Sequence, residues 1–424
     1  MIKLKEPENI NYAAQIVKIS VLNELTNSDN LLGAPLLGMQ AVVSKNTEVG
    51  TIGILFVAET QLSDEYTAKN NLFRHHEFNE DKDKTGFIED NRRVRAIKLR
   101  GNRSDALFMP LSSLAYTKVD LSELKVGDVF EELNGHEICK KFERVHKAYP
   151  AYEKNKHKVF TRVDEKMFPR HYETTQYYRV LDTYKGYTEI IVSQKLHGTL
   201  CRFGNIPVKR ELSFIEKIAS KLGVKVKTEE YAHIYGSNRV IKDANNDKQQ
   251  HFYDRDIWTE AGKKFDDIIP ENFIVYGELI GWTPDGEPIQ KHYTYQVPRC
   301  TNDFYVYRVA QINGQGILTD LSWDQVKEWC RDRSIKTVAE LWRGKHQDFK
   351  PEEWLDTNYH DKLHGGYSNA VPLADESPCD EGVCIRIDGL APYITKLKSP
   401  EFFAHETKML DEDAVDMEEE GKIE

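Results

Sequence analysis

Residues 193–200 read "SQKLHGTL". The residues just before them, "TEIIV" at 188–192, are β-branched apart from Glu189 and end in three apolar positions, the composition of a buried strand. That strand ends on a lone cation, Lys195, and a glycine follows three residues later at Gly198. A lysine and a histidine beside a turn fit an ordinary surface corner. They fit equally well an amine carried to the end of a strand to attack a phosphorus atom. The stretch alone does not choose between these readings, and the decision rests on what else the chain supplies.

Four further stretches have the same form, apolar strand residues ended or interrupted by charge. They are "YGSNRVI" at 235–241, "FIVYGELIGW" at 273–282, "DFYVYRV" at 303–309, and "EGVCIRI" at 381–387 with "YITKLKS" at 393–399. Together with the first they present Lys195, Arg239, Glu278, Glu381, Lys396 and Lys398, with Phe304, Tyr305 and Tyr307 as aromatics. Lysines and an arginine pair with phosphates, carboxylates hold Mg²⁺ or ribose hydroxyls, and an aromatic face stacks on a purine. Each residue also has a plainer reading. Carboxylates at strand ends are commonly solvated. Alternation along a strand turns at least one of the three aromatics into the core. Arg210 competes with Arg239 for one role. His197 reads as a local hydrogen-bonding residue, since no second histidine stands at metal-ligand spacing. Cys201 reads as a buried, inert thiol.

With 424 residues the chain is long enough for two domains. Its 40% hydrophobic and 30% charged residues describe a soluble globular protein. No apolar run approaches the ~20 residues that span a bilayer, and "MIKLKEPENI" lacks the apolar core of a secretory signal. A cytoplasmic protein without a membrane partner is the expectation. The six cysteines form no C-x-x-C pair, which argues against a disulfide framework and a zinc site. The formal net charge is −11, but 411–424, "DEDAVDMEEEGKIE", holds eight acids and one lysine, leaving only about −4 elsewhere. Global acidity therefore does not exclude a nucleic-acid partner, which needs only a local basic surface.

Up to residue 145 the chain reads as short strands, among them "MQAVVSK", "TIGILFVAE", "VRAIKLR" and "ALFMPLS". Many short strands without a long helix predict a small closed barrel, with the OB type as candidate. Arg92, Arg93, Arg95, Lys98, Arg100 and Arg103 make a basic strip, suited to nucleic acid or to a solvated strand face alike. Residues 146–170 read as a polar connector. From 171 to 410 strands alternate with helical segments, predicted at "SFIEKIASKLG", "LSWDQVKEWCRDR" and "TVAELWRG". The fold class is α+β, and 411–424 is an acidic tail expected to be disordered.

In order, these stretches resemble the motifs of the covalent nucleotidyltransferases, the polynucleotide ligases and mRNA capping enzymes. "KLHG" is similar to their lysine-x-x-glycine nucleophile motif, and "YGE", "FYVY", "EGVCIR" and "KLK" follow in the family's order. "FPRHYETTQYY", "GSNR", "IQKHYTYQ" and the N-terminal pattern further resemble the family 5 RNA ligases, over most of residues 10–400. The resemblance implies an OB-like module followed by an adenylyltransferase domain of antiparallel sheets with flanking helices. It implies ATP and Mg²⁺ or Mn²⁺ as cofactors, RNA or a nicked duplex as partner, and no obligate protein partner. Lys195 would be the nucleophile, with Lys396 and Lys398 assisting catalysis and contacting nucleotide. Glu381 would hold the metal. Gln194, Gly198, Arg239, Glu278 and one of Phe304, Tyr305 and Tyr307, with Phe304 favoured, would bind the nucleotide.

A free lysine has a pKa of about 10.4, so a neutral attacking amine requires nearby positive charge, desolvation or a metal. Two alternatives carry the same motifs. A GTP-dependent capping guanylyltransferase ordinarily has its OB module after the nucleotidyl domain, whereas here a short acidic segment follows "KLKS". A catalytically inactive nucleic-acid-binding protein on a ligase scaffold is disfavoured by the intact lysines and glutamates.

Overall fold

The computed structural model describes residues 2–143, 162–242, 249, 253, 255–351 and 370–412. The expected connector lies outside the described residues as far as 161, as does the acidic tail beyond Glu412. The described residues form two compact units interleaved in sequence. One combines the residues up to 143 with 175–181 and 400–412, and the other combines 162–174 with 182–399.

The first unit is organised by a seven-stranded sheet in the order Val129–Phe130, Ala14–Lys18, Ile52–Val57, Ala106–Pro110, Met39–Ser44, Leu31–Leu36, Asn23–Glu24. Its third strand, "IGILFV", is apolar, and after Ile52 it is buried because both faces are covered. Ile54 and Phe56 enter one core with Tyr66 and Leu114, while Leu55 and Val57 enter a second with Ala41 and Phe403. Among the described residues the ladder is open, with no pairing between its end strands, where the sequence predicts a closed barrel. The physical reason is this double cover. Short helices close one face and the Pro400–Asp411 helix contributes Phe403 to the other, so the sheet need not wrap on itself to bury its apolar residues.

The basic strip is largely structural. Arg93 is buried and forks onto Glu59, with Nη2 to Oε1 at 2.8 Å; its Nη1 also reaches Asp411 at 2.9 Å. Glu59 in turn accepts from Thr407 Oγ1 at 2.7 Å. Arg92 pairs with Asp64, Arg95 with Asp411 and Arg103 with Asp105. Lys98 and Arg100 remain exposed, on the hairpin of Ile97–Leu99 and Asn102–Ser104.

The second unit contains two sheets, antiparallel but for one short parallel pairing. In the first, Tyr393–Lys398, Gly382–Ile387, Glu189–Lys195 and Glu340–Lys345 lie side by side. The second runs Ile241–Lys242, Glu229–Gly236, Thr199–Lys209, Phe273–Gly281, Asn302–Ile312, Leu318–Asp320. "SFIEKIASKLG" forms the Phe214–Lys221 helix, started by a Ser213–Glu216 capping box and ended at Gly223 with φ +84°. The second predicted helix spans Trp323–Arg331. "TVAELWRG" is a correction. It forms strands, Lys336–Thr337 and Glu340–Lys345, because each finds a ladder partner that overrides local helix preference. No helix among the described residues is long and apolar enough to cross a membrane.

Burial pushes the Asp105 carboxyl up to about 6, against the pull of Arg103. A raised acid favours the protonated folded state, so its stabilisation is complete below the unfolded pKa near 4 and is lost as pH climbs through about 6. Urea melts should show stability falling over that interval by up to ~3 kcal/mol, and Asp105→Asn should flatten that part of the profile.

Candidate active site

Strand register assembles the site. Lys195 pairs with Gly382, and Gly382 pairs with Lys398 on its other side; two rungs away, Ser193, Cys384 and Lys396 align in the same manner. In-register residues share a face, so Lys195, Lys396 and Lys398 all project from one side of the first sheet. Glu381 immediately precedes Gly382. Its backbone carbonyl accepts from Ser399 N at 2.8 Å, which ties it to the residue after Lys398. Gly382 has φ +145°, and a Cβ there would stand 2.1 Å from Leu397 O, so only glycine lets the strands approach this closely.

Lys195 Nζ lies 2.9 Å from Glu381 Oε1, and Lys398 Nζ lies 3.9 Å from the same oxygen. His197 Nδ1 is 3.5 Å from Glu381 Oε2. All four side chains are buried or nearly so, at 12%, 8%, 10% and 2% exposure for Lys195, Lys398, His197 and Glu381. Burial by itself would push the Glu381 carboxyl up. Lys195, His197 and Lys398 reverse this and hold it well below the usual carboxylate range.

After Lys195 the chain leaves the first sheet, turns through 196–198 and enters the second sheet at Thr199. Gly198 N donates to Glu278 Oε1 at 3.0 Å, and a Cβ on Gly198 would meet Leu279 O at 2.3 Å. The glycine of "KLHG" is therefore required by the close passage of the Phe273–Gly281 strand. That strand in turn delivers Glu278 to the base of the lysine's turn.

The other predicted residues divide. Lys396 is half-buried on the face of Lys195. Gln194 is buried and its amide is taken up by the backbone of Val371, donating to O at 2.9 Å and accepting from N at 2.8 Å. Arg239 is half-buried in the turn after Gly236, which pairs with Arg202 near the Lys195 end of its neighbour strand. Arg210 follows the opposite end, roughly 30 Å along the Thr199–Lys209 strand, and is spent on Glu216 and Lys227 O. Phe304, favoured for stacking, lies instead in the core against Phe203 and Phe265, with ring centroids at 4.7 and 5.5 Å. Tyr305 pairs with Glu278 and shares its face, and Tyr307 packs on His171 at 5.1 Å at an irregularity of the ladder. Cys201 is fully buried. Sequence reading gave no individual role to Gln290 or Tyr295, although it singled out their stretch, "IQKHYTYQ".

Among the described residues no group of three or more His, Cys, Asp or Glu is arranged to hold a metal ion. One buried carboxylate, Glu381, with an oxygen at only the long 3.5 Å contact to His197, is a donor set that fits a hard ion completing its shell with phosphate and water.

The RNA ligase family model matches residues 188–398. No curated protein matches the chain in sequence. Among solved structures the chain is similar to the Naegleria gruberi RNA ligase. A mutant of that protein with ATP and Mn aligns with a TM-score of 0.54 at 15% identity, covering 94% of this chain and 99% of that one. An apo mutant gives 0.58 at 14% with the same coverage. A mutant with AMP and Mn gives 0.56 at 16%, covering 92% and 98%. At these identities the likeness establishes a shared fold.

Glu381→Gln removes the buried carboxylate that faces two nearly buried ammonium groups, which should destabilise the protein by ~3–5 kcal/mol at pH 7. A depressed carboxyl stabilises above its unfolded pKa and loses that contribution in acid, so the difference between the two proteins should narrow below about pH 4. Chemical unfolding at both pH values measures it.

Proposed function

The chain belongs to the RNA ligase family through its 188–398 domain, and on that premise we propose that it joins a 3′-hydroxyl to a 5′-phosphate of RNA through a covalent lysyl-AMP at Lys195. The observation that carries this reading is the convergence of Lys195, Lys398 and His197 on buried Glu381. A nearly buried amine at a strand end, with further cations within one side chain's reach, is suited to a nucleotide's phosphates.

In the first step the Lys195 nitrogen attacks the α-phosphorus of ATP. The N–P bond forms, the P–O bond to pyrophosphate breaks, and the amine's proton passes to solvent. An oxygen of the RNA 5′-phosphate then attacks the same phosphorus and frees Lys195. Finally the 3′-hydroxyl attacks the activated 5′-phosphate, and AMP departs. Lys396 and Lys398 share the nucleophile's face and would balance charge on the phosphates at each step. Glu381 would hold Mg²⁺ or Mn²⁺, which supplies Lewis-acid stabilisation of the departing phosphate oxygens. Glu278 and Tyr305, paired on one face, would take the ribose and the adenine, and Arg239 a phosphate or sugar edge. The likeness to a ligase solved with ATP and Mn supports ATP and a divalent ion as cofactors.

We assign RNA contact outside this site to the first unit, the OB-like module of the sequence reading, through the exposed Lys98 and Arg100.

Incubation with α-labelled ATP should leave label on the protein, and Lys195→Ala should abolish it in a protein that still folds, at a lowered melting temperature because buried Glu381 loses its nearest cation. Label retained from GTP would favour capping, and retention from neither nucleotide would favour a non-catalytic binder. The Lys98→Ala, Arg100→Ala double variant should bind nicked duplex more weakly, with a log–log salt slope smaller by about one to two. Binding titrations over a range of salt test this.

A further inference from the structure

The 196–198 turn that follows Lys195 is buried and belongs to no ladder, so its peptide groups must find other partners. Beside Glu278, the partners come from one segment, 289–296. His197 N donates to Tyr295 Oη at 2.6 Å, and Gly198 O accepts from Gln290 Nε2 at 2.8 Å. Gln290 and Tyr295 are themselves buried, at 3% and 2% exposure.

The same segment grips the chain that leads into Glu381. Tyr293 Oη donates to Cys379 O at 2.9 Å, His292 O accepts from Ser377 Oγ at 2.6 Å, and Gln296 Nε2 donates to Leu373 O at 2.8 Å. Three of its residues that are not glycine hold left-handed backbone, His292 at φ +69°, Tyr295 at +52° and Gln296 at +55°. Each such conformation costs roughly 1–2 kcal/mol and persists where surrounding contacts over-determine it, a pattern that concentrates at functional sites. Here those contacts run to both partners of the 2.9 Å Lys195–Glu381 pair.

Resting on the reading of Lys195 as nucleophile, we propose that Gln290 and Tyr295 are positioning residues for it, and that 289–296 is the common mount that sets the lysine against Glu381. Neither side chain need touch the reacting atoms. They fix the peptide groups immediately after the lysine, and with them the direction of its amine.

The test separates formation of the lysine adduct from sealing of a strand that already carries a 5′-adenylate, a reaction in which the lysine performs no chemistry. Tyr295→Phe removes one oxygen, and Gln290→Glu replaces the donor facing Gly198 O with an acceptor at constant shape. Each should slow adduct formation from ATP by ~10–100-fold, since small misplacement of a reacting group costs about that much. Sealing of the adenylylated strand should stay within about threefold of the parent rate, at a similar melting temperature. Adduct formation within threefold of the parent in both variants overturns the proposal. So does an equal slowing of both reactions, or failure of both variants to fold, since either marks a general structural role. Absence of any adduct in the unsubstituted protein overturns the functional reading instead, and the proposal with it.

Discussion

One buried carboxylate, Glu381, draws in Lys195, Lys398 and His197, and the second unit is built so that this convergence is possible. An isolated carboxylate at 2% exposure would be driven toward its neutral form. Surrounded by cations it stays charged, and they in turn are tolerated in the interior because of it. The arrangement is specified by backbone more than by side-chain packing. The rung of Lys195, Gly382 and Lys398 follows from antiparallel register across three strands, and Gly382 has no Cβ because the third strand passes too close for one.

The location of this rung gives it chemical meaning. Lys195 is the last residue of a strand in one sheet, and Thr199 is the first residue of a strand in the other. A cation set in mid-strand would have neighbours of one sheet only. At the crossing it receives Glu381 and Lys398 from the first sheet, while the turn just after it receives Glu278 from the second. Groups of both sheets thus reach the lysine and its turn from different directions, which a single sheet face does not provide.

Much of this was legible in the sequence, because the chemistry sits at strand ends and strand ends are punctuated. Lys195, Gly198, Glu278, Glu381, Lys396 and Lys398 stand where breaks in apolar runs put them. What was not legible depends on contacts distant in sequence. Alternation announced that one of Phe304, Tyr305 and Tyr307 faces the core, but only pairing with Leu279 and contact with Phe203 show that it is Phe304. The resemblance names Gln194, and no local pattern announces that its amide closes on Val371, 177 residues away. "TVAELWRG" has helical composition and takes strand form from its ladder partners. The basic strip read as surface, whereas Arg93 is interior because Glu59, Thr407 and Asp411 are there to receive it. The open ladder of the first unit has a related origin, since a helix 300 residues further on covers a face that the first 145 residues leave open.

The hairpin joining Gly382–Ile387 to Tyr393–Lys398 constrains how this gene can drift. Its tip is open, with Leu390 99% exposed, and by local criteria it would accept insertions freely. Yet Lys396 and Lys398 owe their face to the parity of every residue between them and the tip, and a slip of one would present Thr395 and Leu397 to Glu381 in their place. Length variation among descendants of this sequence should therefore be absorbed within 388–392 and leave both strands whole, while single-codon gains or losses within either strand are purged.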